Sequence, residues 1–322
     1  MTAAPEAEAR ATCAPGARGV GCGKVILLGE HSVVHGRPAL AAALPRGAQA
    51  EARALEHGPS TARFVFADAR VDVTSDPEAS HPLGRALCAL LATYDGAPPV
   101  HVDVQLDLPA GAGLGASAAM GVAISDALDA LTATVRSPSE RATQTLAWER
   151  VFHGNPSGVD NTMAAVGGVA LFTRGAALER VRLRQPLLLV VGHSGEASET
   201  KEMVALVAQQ LEREPARIGE LFDAIAVLVR NARLALEAGD LRALGQLMDM
   251  NHTLLSALML STPRLEQLCA AAREAGALGA KVTGAGGGGC MVALAPDAVV
   301  AERVLTALRA LGAESFVAEV GP

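Results

Sequence analysis

The chain has 322 residues, of which 50% are hydrophobic and 19% are charged, and its net charge is −7. This length predicts about two domains, and this composition excludes a mainly disordered chain, which would be more polar and more highly charged. Aromatic residues make up only 2% of the chain and no long basic run occurs, which argues against binding to nucleic acid. The apolar runs are too short to cross a bilayer, so a membrane is not an expected partner either.

The spacing of the cysteines and the composition of the N-terminal residues indicate the cellular compartment of the protein. Five cysteines are scattered along the chain without a C-x-x-C pair, a pattern that suits a reducing cytoplasm and gives no support for a zinc or redox site. The first residues lack a basic segment followed by an apolar core, so no signal peptide is expected. Residues 1–18 are predicted to form a frayed tail, and Gly16 and Gly19 are interpreted as part of it.

Apolar periodicity predicts a mixed α and β first half. Val100–Leu106 alternates strictly between apolar and polar residues, which is typical of a strand with one buried face. The other strands expected in this half are Lys24–Leu28, Arg63–Phe66, Val71–Val73 and Val166–Thr173. The expected helices are His81–Thr93, Ala116–Leu131 and Glu140–Phe152.

The second half is predicted to be mainly helical around a few strands. The expected strands are Leu187–Val191, Lys281–Thr283, Cys290–Leu294 and a last one through Phe316, Ala318 and Val320. One expected helix has an apolar face made of Ile218, Leu221, Phe222, Ile225 and Leu228, and Asp297 is expected to cap another. Gly175 and several arginines interrupt the apolar pattern between Arg174 and Gln185, so we predict two domains, residues 1–180 and 181–322.

The strongest motif is a glycine-rich segment between a predicted strand and a predicted helix. Gly111, Gly113 and Gly115 allow backbone N–H groups to approach a ligand, and the N-terminus of the helix that follows adds partial positive charge. The segment is therefore predicted to bind an anion. It also fits G-x-G-x-x-A from Gly111 to Ala116, which leaves an NAD(P)-dependent oxidoreductase as an alternative, although the acidic residue that such a site needs after a second strand is missing.

Three other motifs carry chemically versatile residues. Lys24 begins a strand that ends at Glu30 and His31, so a lysine and an acid–histidine pair can converge on one site. Asp160 follows a stretch with proline and glycine, which we expect to form an irregular loop that points the aspartate into a cleft. Five glycines within residues 281–290 indicate close backbone approach. A surface lysine, a turn aspartate and a flexible hairpin would explain these motifs one by one, but their joint occurrence favours a single active site.

Taken in order, the motifs resemble those of the GHMP kinase superfamily, and within it most closely those of the mevalonate kinases. The resemblance covers residues 23–290 and implies an α+β, two-domain GHMP kinase fold. Its N-terminal domain would be like domain 2 of ribosomal protein S5, its C-terminal domain would be a ferredoxin-like α/β sandwich, and the active site would lie in the cleft between them. The discriminating strings are Gly29-Glu-His-Ser-Val-Val-His-Gly36, His153-Gly-Asn-Pro-Ser-Gly-Val-Asp-Asn161 and Lys281-Val-Thr-Gly-Ala-Gly-Gly-Gly-Gly-Cys290.

The resemblance also implies roles for individual residues. Asp160 matches the catalytic aspartate, which accepts or orients the proton of the acceptor hydroxyl, and Lys24 matches the lysine beside it. Ser117 and Glu149 match the ligands of Mg²⁺, for which hard oxygen atoms are suited. The phosphates of ATP are expected on Pro109, Gly111, Ala112, Gly113, Leu114, Gly115, Ala116, Ser117 and Ala118. The acceptor is expected to meet Lys24, Glu30, His31, Asp160, Thr283, Gly284 and Ala285.

The reaction that the resemblance implies is the ATP-dependent phosphorylation of the primary 5-hydroxyl of mevalonate, a step of isoprenoid biosynthesis. Phosphomevalonate, mevalonate at another hydroxyl and a sugar remain alternative acceptors, because the residues that select the acceptor lie partly outside the motifs. The family usually has a serine at the position of Ala116, so altered nucleotide contacts are expected, whereas the metal-binding hydroxyl of Ser117 is kept. A non-catalytic binding module is disfavoured because every charged residue that the chemistry needs is present. A homodimer is a further expectation that the apolar helices of the second half allow.

Overall fold

The computed structural model describes residues 16–109, 111–153, 156, 158–176 and 178–321. The first half contains a 3₁₀ turn (Ser32–His35), the strands β1 (Ala17–Leu28), β2 (Ala39–Ala54), β3 (Thr61–Val65), β4 (Arg70–Thr74), β5 (Val100–Leu106), β6 (Val169–Phe172) and β7 (Glu179–Val181), and the helices α1 (Pro82–Leu91), α2 (Ala116–Leu131), α3 (Pro138–Gln144), α4 (Leu146–His153) and α5 (Val159–Val166). The second half contains the strands β8 (Leu187–His193), β9 (Gly279–Thr283), β10 (Cys290–Ala295) and β11 (Glu314–Val320), and the helices α6 (Thr200–Arg213), α7 (Pro215–Ala238), α8 (Leu241–Ala257), α9 (Pro263–Glu274) and α10 (Ala298–Ala310).

The long strand β2 organises the first sheet. The strand order is β4-β3-β5-β2-β6-β7, and β1 pairs antiparallel with β2 along most of its length. Sequence periodicity missed β2 because its buried positions are almost all alanine, which gives little contrast with its other residues. Small residues are needed there because α2 packs directly on β1 and β2. The helix and the two strands therefore form one close-packed unit beneath the glycine-rich segment.

The predicted tail is wrong for its described part, because β1 already begins at Ala17. Gly19 lies against α2, and a Cβ atom on it would be 2.2 Å from the backbone nitrogen of Ala127. Glycine at this position is therefore required by helix packing and is not part of a tail. Residues 1–15 of the predicted tail lie outside the described residues.

The second sheet has the order β11-β8-β10-β9, and all of its pairs are antiparallel. Numbered from β8 as the first strand, this order is 4-1-3-2, which together with the helical crossovers is the ferredoxin-like arrangement expected for this half. The predicted α+β class is confirmed by the two sheets and their helices. The limits of the domains stay a prediction; residue 180, proposed as the last of the first domain, falls inside β7.

One helical prediction needs correction near the site. The expected helix Glu140–Phe152 is two helices, because α3 ends after Gln144 and α4 starts at Leu146. Asp160 lies in the first turn of α5, which follows Gly158 at a φ of 84°. The irregular loop predicted before Asp160 includes residues 154, 155 and 157, which lie outside the described residues. A carboxylate in the first turn of a helix is stabilised by the helix dipole. By contrast, Val100–Leu106 and Ala116–Leu131 have the predicted bounds. None of the described helices is long and apolar enough for a membrane span.

Candidate active site

Two glycine-rich loops, one from each half of the chain, meet at the site. Gly113 and Gly284 both have positive φ angles, of 75° and 87°, and a Cβ atom on Gly284 would lie 3.5 Å from the carbonyl oxygen of Gly113. Gly289 makes a similar approach, since its Cβ would lie 3.4 Å from the carbonyl oxygen of Ala112. The positive φ angles of Gly113, Gly284 and Gly289 explain why glycine is favoured at these positions. The two glycine-rich loops therefore contact each other through their backbones.

The loop before α2 presents its backbone, since most of its side chains are turned into the protein. Ala112 and Leu114 are each 1% exposed, and Ala118 in the first turn of α2 is fully buried. Gly115 has a φ of 74° and is followed directly by the first residue of α2, Ala116. The free N–H groups and the dipole of this helix start make a site that attracts anions. Among the predicted phosphate-binding residues, the structure thus favours contacts through main-chain atoms.

Ser117 and Glu149 are brought together from two helices. The Ser117 hydroxyl, in the first turn of α2, donates a hydrogen bond of 2.5 Å to Glu149 Oε1 on α4. Trp148 fixes the same contact, because its indole N–H donates to the carbonyl oxygen of Ser117 at 2.9 Å. Its ring packs on Gly121, where a Cβ atom would lie 2.7 Å from Trp148 Cδ1. A large aromatic residue opposite a glycine therefore sets the distance between α2 and α4.

The Glu149 carboxyl lies in an unusual electrostatic environment. Glu149 is 1% exposed. Burial raises the pKa of its carboxyl to about 7, and the negative charge of Asp160 makes a smaller contribution in the same direction. The hydrogen bond from Ser117 and the positive charge of Lys24 act in the opposite direction. His153 Nε2 lies 3.5 Å from Glu149 Oε2. A cation bound beside this buried carboxyl would stabilise its ionised form.

Lys24 and Asp160 form an ion pair at the centre of the site. Lys24 Nζ lies 3.3 Å from Asp160 Oδ1 and donates to the carbonyl oxygen of Gly113 at 3.0 Å. The lysine side chain is 7% exposed whereas that of Asp160 is 34% exposed. The aspartate therefore stays accessible from solvent while the lysine contacts it from the protein interior. The backbone N–H of Lys24 also donates to the carbonyl oxygen of Leu114, which holds β1 against the glycine loop.

His31 has a strained backbone at the end of β1. Its φ is 58° and its ψ is −47°, a conformation that non-glycine residues rarely adopt and that is often found at functional sites. Its ring nitrogen Nε2 lies 2.8 Å from the carbonyl oxygen of Ala285, and burial lowers the pKa of the imidazole. Since a carbonyl oxygen only accepts, Nε2 carries the proton in this contact. The histidine thus links the first half of the chain to the second glycine loop.

The structure gives Thr283 and Glu30 protein partners. The Thr283 hydroxyl accepts from the backbone N–H of Ile26 at 3.0 Å and lies 3.1 Å from the Ile26 carbonyl oxygen. Glu30 is buried, pairs with Lys281 and accepts a hydrogen bond from Asn251. No sequence motif predicts a role for Asn251, and only the position of Lys281 at the start of the string Lys281–Cys290 points to that lysine.

The structure therefore assembles most of the predicted site residues in one place. Lys24, Asp160, Ser117 and Glu149 surround the first glycine loop. His31, just after β1, contacts the second glycine loop at Ala285. Phosphoryl-transfer enzymes use such a set of groups: a carboxylate–lysine pair, an anion-binding loop beside it, and a hydroxyl–carboxylate pair. Together with the two-sheet fold, it defines the class of small-molecule kinases called GHMP kinases.

Comparison with known proteins identifies the family within this class. The family models described as "GHMP kinases N terminal domain" and "GHMP kinases C terminal" match residues 82–168 and 232–314. The mevalonate kinases of Thermococcus sibiricus and Pyrococcus furiosus are 36% and 35% identical to the chain over 92% of its length, and 94% of each relative is covered. The crystal structure of L. major mevalonate kinase in complex with R-mevalonate has a TM-score of 0.84 and 30% identity, over 95% of this chain and 96% of that one. The chain belongs to the mevalonate kinase family, and the predicted fold is confirmed.

Proposed function

We propose that the protein transfers the γ-phosphoryl group of ATP to the primary 5-hydroxyl of mevalonate, giving 5-phosphomevalonate and ADP. The observation that carries the proposal is the pair of Lys24 and Asp160 beside the first glycine loop, with Lys24 bound to the carbonyl oxygen of Gly113. The family adds the acceptor, since the relatives over nearly the whole chain are mevalonate kinases.

In the proposed reaction, the acceptor oxygen attacks the γ-phosphorus while the bond between this phosphorus and the β–γ bridging oxygen breaks. The proton of the acceptor hydroxyl goes to Asp160, which is partly exposed to solvent. Lys24 orients the aspartate before the transfer, because its ammonium lies 3.3 Å from Asp160 Oδ1 and is already held by the carbonyl oxygen of Gly113. The N–H groups at the start of α2 stabilise the negative charge on the phosphates.

The residues present fit a magnesium ion bound together with the nucleotide. Ser117 and Glu149 offer a hydroxyl and a carboxylate oxygen 2.5 Å apart at the N-terminus of α2, and Mg²⁺ prefers such hard oxygen ligands along with phosphate oxygens and water. When bound, the ion would neutralise charge on the phosphates. The buried carboxyl of Glu149, whose pKa is raised by burial, gains a compensating cation in this arrangement.

The acceptor pocket is proposed at the end of β1, between Asp160 and the second glycine loop. The two lysines of the motifs nearest to it, Lys24 and Lys281, are each already paired with a carboxylate. This pairing favours an acceptor without a phosphate group over phosphomevalonate. The contact of His31 with Ala285 supports the contribution of both halves of the chain to the pocket.

An acceptor panel tests the proposed function. ADP release is measured with ATP, Mg²⁺ and, in turn, mevalonate, phosphomevalonate, galactose and homoserine. We expect the kcat/KM for mevalonate to exceed that for every other acceptor by at least about a hundredfold, which corresponds to about 3 kcal/mol of transition-state binding. A higher kcat/KM for any other acceptor would show that the acceptor is assigned wrongly, and a nicotinamide-dependent absorbance change would revive the oxidoreductase alternative.

Cytoplasmic location and self-association belong to the same proposal. The described cysteines, which are Cys22, Cys88, Cys269 and Cys290, are free thiols, and this supports a reducing compartment. We also propose a homodimer, for which light scattering of the purified protein is the direct measurement. A mass of 32.8 kDa would mean a monomer and contradict it.

A further inference from the structure

A fully buried ion pair joins the two halves of the chain next to the proposed acceptor pocket. Lys281 on β9 and Glu30 after β1 pair with side-chain exposures of 0% and 1%. Asn251 on α8 donates to the other carboxylate oxygen, Glu30 Oε2, at 3.0 Å. The Lys281 ammonium also contacts the carbonyl oxygens of Ile26, at 3.4 Å, and of Val282. Both charges are therefore fully surrounded by protein partners from both halves.

Stability alone is a poor reason for such a pair. Removing two charges from water costs several kcal/mol for each ion, and apolar residues of similar volume are often as stable or more stable in the same place. Burial lowers the pKa of Lys281, which reflects this cost. A direct ion pair does, however, fix two groups at a defined distance and orientation. The position of Glu30 is therefore the property that the pair controls.

The segment that Glu30 controls is part of the proposed pocket. Glu30 immediately precedes His31, whose backbone has a φ of 58° and whose imidazole donates to the carbonyl oxygen of Ala285. Ile26, one of the carbonyl partners of Lys281, is also held by Thr283. The Lys281 ammonium thus contacts the backbone near the end of β1 and holds this end of the strand against the second glycine loop. Loss of this support would release the strained backbone of His31.

We propose that Lys281 is a positioning residue for the acceptor, which acts through Glu30 to hold His31 and the end of β1 against residues 284–289. This inference rests on the proposed function, because the acceptor defines what is positioned. Glu30 then contributes to acceptor binding through the backbone of His31 and not through its own carboxylate. The nucleotide side of the site, formed by α2 and α4, does not depend on the pair.

Three variants test the inference: Lys281→Met, Glu30→Gln and the double variant. Each is assayed well below its own unfolding temperature, with mevalonate and ATP varied separately. We expect Lys281→Met to raise the KM for mevalonate by about 10- to 100-fold, as for other losses of positioning, and to leave the KM for ATP within about twofold. Lys281→Met also leaves Glu30 as an unpaired buried charge and lowers the unfolding temperature.

The double variant separates positioning from simple neutralisation of charge. It has no unpaired buried charge, so its unfolding temperature should return to that of the wild type or above, while the KM for mevalonate stays raised. If its KM for mevalonate returns to the wild-type value, Lys281 only neutralises Glu30 and the inference is overturned. Equal changes in the two KM values, or an unchanged KM for mevalonate in both Lys281 variants, overturn it as well.

Arg273→Met is the matched control. Arg273 pairs with Asp249 at 2.7 Å and also donates to the carbonyl oxygen of Ala280 on β9, but neither contact reaches the first half of the chain. We expect a loss of stability without a change in the KM for mevalonate. The wild type tests the proposed function separately. If the wild type does not turn over mevalonate, the proposed function is wrong. If it does, but the Lys281 variants have the KM values of the wild type, only the role of Lys281 is overturned.

Discussion

Replacing Glu149 by glutamine should make the metal-free protein more stable at pH 8. In the native protein, burial raises the pKa of the Glu149 carboxyl from its usual 4.5 to about 7. Well below pH 4.5 the carboxyl is protonated in both the folded and the unfolded state, so its burial does not lower the free energy of unfolding. Above pH 7 it is ionised in both, and the folded state bears a cost of about 3 kcal/mol, since each pKa unit corresponds to 1.36 kcal/mol. Stability is therefore lost as the pH rises from about 4.5 to 7.

Glutamine has the same shape, still accepts a hydrogen bond from Ser117 and carries no charge to bury. Urea unfolding in EDTA, without nucleotide, measures the free energy of unfolding at pH 5, 6, 7 and 8. We expect the two proteins to be similar near pH 5 and the variant to be more stable by up to about 3 kcal/mol at pH 8. Glu140→Gln is the control, because Glu140 is exposed, its pKa is lowered by Ser137, and it titrates below this pH range. Parallel curves for wild type and Glu149→Gln, or a less stable variant at pH 8, would refute the reasoning.

Three further predictions concern the catalytic and packing roles. Asp160→Asn should bind ATP as the wild type does but lose about 10²- to 10⁴-fold in kcat, the usual contribution of a general base. Steady-state kinetics measure kcat and equilibrium binding measures the affinity for ATP; a kcat equal to that of the wild type contradicts the role of Asp160. Ser117→Ala should raise the concentration of Mg²⁺ that gives half-maximal activity, because the hydroxyl next to Glu149 is lost; an unchanged Mg²⁺ titration removes Ser117 from the metal site. Gly19→Ala should lower the unfolding temperature, since its Cβ would lie 2.2 Å from the backbone of Ala127, at a cost of about 1–3 kcal/mol; an unchanged unfolding temperature would mean that β1 does not pack on α2 there.

Much of the site could be predicted because its chemistry depends on short segments. Glycines at 111, 113 and 115 need positive φ angles, of 70–75°, and only glycine adopts them freely. The strand Val100–Leu106 and the helix Ala116–Leu131 flank this loop with strong periodicity, so both bounds could be predicted correctly. The contacts within the site then follow from the order of these elements.

The remaining features depend on contacts between distant parts of the chain. Glu30 and Lys281 are 251 positions apart, and no local pattern shows that one is the partner of the other. The strand β2 was missed because alanine gives a weak periodic signal, and the packing of α2 that selects alanine is visible only in three dimensions. Helix α5, which has Asp160 in its first turn, is not predicted by the sequence pattern, because proline and glycine directly before it indicate a loop and the helix has only eight residues.

The position of the phosphate on the product tests the central claim most directly. Wild-type protein is incubated with ATP, Mg²⁺ and R-mevalonate, and the product is examined by ³¹P and ¹³C NMR. A phosphate ester on the primary C5 oxygen, formed together with one ADP for each product molecule, is the predicted result, and Asp160→Asn should form it at a greatly reduced rate. Phosphate on the tertiary C3 oxygen, or ADP released without phosphorylated mevalonate, would contradict the account.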